Sequence, residues 1–170
     1  MAMDKRARRR GDDEIMVKAG MILSLCVFAA ILSGCGSMNF SITEPKGFAR
    51  YKKDTAVFRA ISSSGIRMKA RRVENDPYGD ADMWSRSVEL HLKGLGYHEI
   101  ARSGLSAAGG QKGELREYAY RFNGENYVYS LALFVTKKDI FIIEAAGIEA
   151  EFKKRRADIR RSIDGFAVYD

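Results

Sequence analysis

The stretch ELREYAYRFNGENYVYSLALFVTKKDIFIIEAAG, Glu114 to Gly147, decides the fold. Its aromatic and β-branched runs favour extended backbone. Asn123-Gly124 divides the first two runs, and this pair readily supplies the positive φ angles of a two-residue hairpin. Lys137-Lys138-Asp139 makes a second polar break. Three consecutive antiparallel strands are therefore expected: Glu114–Phe122, Glu125–Thr136 and Ile140–Gly147. "LALFV" and "IFII" are almost continuously apolar, the pattern of central strands buried on both faces.

Working outward, "TAVFRAI" and "IRMKARRV" flank the Ser/Gly turn "SSSG" and predict a further hairpin. Ile66, Met68 and Ala70 alternate with Arg67, Lys69 and Arg71, so one face is core and the other is wet. Pro77 and Gly79 break the pattern. Asp80 is placed to cap a helix through "ADMWSRSVELHLKGLGY", with Trp84, Val88, Leu92 and Leu95 on its inner stripe and Gly94 or Gly96 at its end. "HEIARSGLSAAGGQKG" supplies an edge strand before a Gly-rich loop. A last helix runs from Ile148 to about Ile163, with Ile148, Phe152, Ile159 and Ile163 on one stripe. Glu149 and Glu151 open it and basic residues follow, which suits the helix dipole. The class is α+β, an antiparallel sheet flanked by helices in the order β-β-α-(β)-β-β-β-α.

Far upstream, "MILSLCVFAAILS", Met21 to Ser33, carries no charge. It falls short of the ~20 residues that a membrane-spanning helix needs. Lys18 flanks it, and small residues end it, as in a signal peptide. Leu32-Ser33-Gly34-Cys35 resembles a bacterial lipoprotein lipobox, which implies a diacylglycerol thioether on Cys35, cleavage before it and acylation of the new amine. Several acyl chains give stable anchoring where one gives only marginal binding. Gly36 is not the aspartate that the enteric sorting rule associates with inner-membrane retention, so the outer membrane is favoured. Residues 1–34 are then the signal peptide, with Met16 as an alternative start, 35–47 the anchor and tether, and 48–170 one domain.

The chain of 170 residues carries a formal net charge of +7. Residues 35–170 keep 23 Lys and Arg against 18 Asp and Glu, a net +5. That is modest, and a periplasmic address excludes nucleic acid as the partner. Both cysteines, Cys26 and Cys35, are consumed by processing, which removes disulfides, thiolate metal sites and a cysteine nucleophile together.

Chemistry-bearing motifs are sparse. His91 and His98 are the two imidazoles, and neither sits in a catalytic motif. No G-x-S-x-G, H-E-x-x-H, Walker or dinucleotide fingerprint occurs. Asp76, Asp80 and Asp82 lack the glycine and distal glutamate of an EF-hand. No catalytic residue, metal site or cofactor is assigned. Glu144 is the most informative carboxylate, because it interrupts an apolar strand where a charge needs a partner. It either pairs with an arginine on a neighbouring strand or takes a catalytic role. Tyr118, Tyr120, Phe122, Tyr127 and Tyr129 either line a ligand groove or pack across strands. Glu144, Tyr118, Tyr120 and Tyr129 are the binding candidates.

A "GFARY" entry, the Ser-Gly hairpin, a Trp-bearing helix with a "GY" exit, meander strands ending "EAAG" and a terminal helix ending "SIDGF" resemble the PsbP-like α/β sandwich family across Phe48 to Phe166. That family includes small bacterial lipoproteins. The resemblance implies a helix-flanked antiparallel sheet without implying an activity. The expected function is a lipid-anchored, non-enzymatic periplasmic protein that binds another envelope component, such as an envelope protein, or supports assembly. The alternative is a small-ligand carrier with a pocket between sheet and helix, and an enzyme comes third.

Overall fold

Burial on both faces of the central strands demands two covers, and the two helices supply them from opposite sides. The computed structural model describes residues 39–53 and 57–169. These belong to one compact unit, Ser37–Asp170. The segment read as a signal peptide, with Cys26, and the proposed anchor Cys35 and Gly36 lie outside the described residues.

The main sheet runs β2 (Phe48–Arg50), β3 (Phe58–Ser62), β4 (Arg67–Glu74), β8 (Asp139–Ile148), β7 (Glu125–Val135), β6 (Lys112–Phe122) and β5 (His98–Ser106) in spatial order. Every neighbouring pair is antiparallel. Helix α1 (Ala81–Gly94) follows β4, and α2 (Glu149–Asp164) follows β8. The class is α+β. A second ribbon pairs β1 (Phe40–Ser41) with β9 (Ala167–Val168). Packing therefore begins inside the stretch expected to be tether, since Phe40 and Ile42 are buried in the core.

Strand alternation sorts the side chains. Val128, Ala132 and Phe134 of β7 join Phe141, Ile143 and Ala145 of β8 under α2, which contributes Phe152, Ile159 and Ile163. The intervening Leu131, Leu133, Ile140 and Ile142 face the other way, where Trp84 and Val88 of α1 cover them.

Asp80 caps α1 by accepting from the Met83 backbone N–H at 2.8 Å. Gly96 takes a φ of +85°, a left-handed turn that suits glycine, and the chain reverses into Tyr97. Two stripe residues need correction. Leu95 caps α1 and is 54% exposed, because one residue past the helix its side chain leaves the inner face. Ile148 ends β8 instead of opening α2 and is 37% exposed.

Asn75 fastens the end of β4 to two neighbours. Its side-chain nitrogen donates to the carbonyls of Gly79 at 2.9 Å and Thr136 at 2.8 Å. Its oxygen accepts from the Gly79 N–H at 3.0 Å and from Trp84 Nε1 at 2.8 Å. Its own N–H donates to the Lys138 carbonyl at 2.8 Å, so the β7–β8 turn is held in place.

Candidate functional site

Helix α1 covers β7 and the Ile140–Ile142 end of β8, and the β3–β4 side of the same face is open, with Arg59, Arg67 and Lys69 exposed on it. The register places Arg59 of β3 opposite Lys69 of β4, and Lys69 opposite Glu144 of β8. Arg59, Arg67 and Lys69 are exposed. Alternation is the cause, since Met68 and Ala70 go to the core and their odd-numbered neighbours point to water. Arg67 and Lys69 make no ion pair among the described residues. With Tyr129, Glu144 and Ala146 they line a shallow depression of about 220 Å³.

Glu144 has the arginine partner that a carboxylate inside a strand requires. Arg71 Nε lies 3.6 Å from its Oε2, and the Tyr129 hydroxyl donates to its Oε1 at 2.8 Å. Burial first, and then the negative charge of Glu144, push the Tyr129 pKa far above the ordinary phenol value. Tyr129 therefore remains a neutral donor. Phenolate chemistry is closed to it near neutral pH.

Three of the tyrosines singled out from sequence come together around a fourth that was not. Tyr97, delivered by the turn after α1, stacks on Tyr120 with ring centroids 4.6 Å apart. It meets Tyr129 at 5.6 Å and Tyr118 at 6.5 Å, both edge-on. Tyr118 and Tyr129, directly opposite across β6 and β7, lie 6.3 Å apart. The "GY" signal had marked only a helix exit. Phe122 and Tyr127 join no ring contact among the described residues; Phe122 is exposed near the hairpin tip.

Tyr118 is 1% exposed, and its hydroxyl has no hydrogen-bond partner among the described residues. Burial pushes its pKa up, and the nearby Arg116 guanidinium opposes that shift. Arg116 is itself only 3% exposed, an outcome its place in "ELREY" did not signal. It binds Glu89 of α1 at 2.9 Å, Glu99 of β5 at 3.0 Å, and Glu114 and Ser85 at close range. Burial opposes its charge, but the bonds to Glu89 and Glu114 outweigh that and raise its pKa. Its groups are engaged with one another, so it ties α1 to the sheet.

On the opposite face a groove of about 190 Å³ separates α2 from β5 and β6. Leu115, Phe152, Ile159 and Ile163 supply apolar lining. Its charged groups already pair: Arg156 lies 3.1 Å from Glu117, and Arg160 is 2.8 Å from Asp164.

His91 and His98 are both exposed. No group of three or more His, Cys, Asp or Glu side chains is placed to hold a metal among the described residues, where no helix is long and apolar enough to cross a membrane either.

No protein-family model and no curated protein sequence matches the chain. Solved structures do. LpqN of Mycobacterium tuberculosis, described as involved in cell envelope biogenesis, superposes with a TM-score of 0.65 at 14% identity, covering 82% of this chain and 88% of that one. The cyanobacterial PsbP protein of Synechocystis gives 0.52 at 12% identity, covering 81% and 96% respectively. A Pseudomonas aeruginosa protein of unknown function gives 0.53 at 14%, covering 69% and 94%. At these identities the likeness is one of fold, and the fold is PsbP-like.

Proposed function

We propose that this chain is a lipid-anchored, non-enzymatic binding protein of the cell envelope that meets an envelope protein through the open sheet face. The observation that carries this reading is the exposed pair Arg67 and Lys69, without ion pairs among the described residues, on a sheet surface beside Tyr129. Aromatic and arginine side chains are the residue types that dominate binding energy where a partner excludes water. The partner's matching chemistry is a flat surface carrying carboxylates. The envelope role described for the mycobacterial neighbour supports the address. Gly36 after the lipidated cysteine supports the outer membrane.

The carrier reading is weaker. The groove beside α2, at about 190 Å³, is below the ~300 Å³ at which ligand pockets usually begin, and its charges are already paired.

A photocrosslinking residue at Lys69 in living cells tests the proposal, with the same residue at Lys154 on α2 as control. A discrete adduct from position 69 that Arg67→Glu abolishes is expected, with none from position 154. No adduct from position 69, or the same adducts from both positions, would overturn the surface assignment.

A further inference from the structure

We infer that the end of the sheet formed by the β7–β8 turn and the C-terminal strand docks on anionic phospholipid headgroups. This inference rests on the lipid-anchored reading of Cys35. Covalent geometry carries the first step. Three residues lie between Cys35 and Asn39, so four backbone steps keep the Cys35 Cα within about 14 Å of the Asn39 Cα. Asn39 lines the same surface as Lys137, Lys138 and Tyr169. Its carbonyl accepts from the Tyr169 N–H at 2.8 Å. A short tether therefore holds this end close to the bilayer.

Charge and rigidity carry the second step. Lys137 and Lys138 are exposed and make no ion pair among the described residues. Two carboxylates share the patch: Asp139, 3.6 Å from Arg72 Nε, and Glu74. Asn75 pins the turn through the Thr136 and Lys138 carbonyls, so both lysines are presented without ordering a loop. Tyr169, 56% exposed with its hydroxyl 2.7 Å from Ser41 Oγ, adds a ring suited to the interface. β7 runs away from this end, placing Tyr129 about 20 Å from the turn at the usual rise per residue. The face proposed for a protein partner is thus held clear of the headgroups.

The test uses the mature acylated protein in vesicles of phosphatidylcholine with and without phosphatidylglycerol. Mass analysis first establishes acylation of Cys35. After processing no free thiol remains, so Tyr169→Cys or, at the far hairpin, Arg121→Cys gives one nitroxide site. The inference expects the label at 169 to be shielded from an aqueous nickel chelate about tenfold more on phosphatidylglycerol vesicles than on phosphatidylcholine alone, with the label at 121 unchanged. Paired Lys137→Gln and Lys138→Gln substitutions should remove that shielding. Equal accessibility at both sites in a verified acylated protein overturns the docking inference alone. An unacylated Cys35 overturns the anchor and the docking with it, and mass analysis tells the two failures apart.

Discussion

Trp84 Nε1 donates to Asn75 Oδ1 at 2.8 Å, so the indole that covers the sheet is also tied to the residue holding the β7–β8 turn. Trp84 packs with Leu131, Leu133 and Ile140 and is half-buried. Its packing and its bond to Asn75 give it a structural part in α1.

Trp84→Ala should cost about 3 kcal/mol, the low end of the range for large aromatic truncations because part of the ring is already in water. Trp84→Phe keeps the packing and loses one hydrogen bond, so about 1 kcal/mol is expected. Urea unfolding of the chain from Ser37 onward measures both. An unchanged midpoint for Trp84→Ala would remove α1 from the face assigned to it.

Asn75→Asp is nearly isosteric, yet it sets a carboxylate oxygen against the Gly79 and Thr136 carbonyls in place of a donor. With two buried acceptors stripped of partners, a loss of roughly 3 kcal/mol is expected in the same unfolding experiment. A loss of no more than about 0.5 kcal/mol, the usual size for a surface substitution, would show that the hub carries little.

The Arg116 cluster predicts an acid limb. Glu89 is held below the ordinary glutamate range by its bonds to Arg116 and Arg102. Burial alone would raise Glu114, but its bonds to Arg116 and Ser85 outweigh that and lower it. A lowered folded pKa contributes stability that is complete above the unfolded value of about 4.3 and is lost as pH falls through the folded one. Denaturant midpoints should therefore drop below pH ~4.5. Arg116→Met should flatten that limb and, by leaving carboxylates facing each other, cost about 3 kcal/mol at neutral pH. A limb equally steep in both proteins would exclude the cluster as its source.

Tyr129 should be among the last phenols to ionise on raising the pH, since burial and the Glu144 charge both resist it. Ultraviolet titration of wild type against Tyr129→Phe isolates its signal. Glu144→Gln removes the charge and keeps a hydrogen-bond acceptor, so that signal should move to lower pH. A signal that stays put would assign the shift to burial alone.

Cys35→Ala should leave unprocessed precursor and abolish labelling by radioactive fatty acid, because only a thiol forms the thioether. Continued labelling of the variant would remove the lipoprotein reading.

Much of the fold was legible because period-two alternation and Asn123-Gly124 act locally. Met68 and Ala70 went inward, and Arg67 and Lys69 outward, as their spacing demands. What stayed hidden depends on contacts distant in sequence. Arg116 sits at an ordinary polar position of β6, and only α1 arriving overhead with Glu89 and Ser85 turns it into a buried cation. Tyr97 looked like punctuation after α1, and the Gly96 turn is what swings it onto Tyr120. Leu95 failed as a core residue for the opposite reason: its spacing fits the stripe, but the helix stops one residue too soon.

The β1–β9 ribbon has a mechanical consequence. Phe40 pairs with Val168, Ser41 with Ala167, and the Tyr169 N–H reaches the Asn39 carbonyl. Tension entering along the N-terminal segment is therefore passed to the last residues of the chain before it reaches the seven-stranded sheet. The C-terminal residues thus form a clasp over the point where the chain enters the domain. Phe40, wedged against Phe141 and Phe166, is the stop behind it.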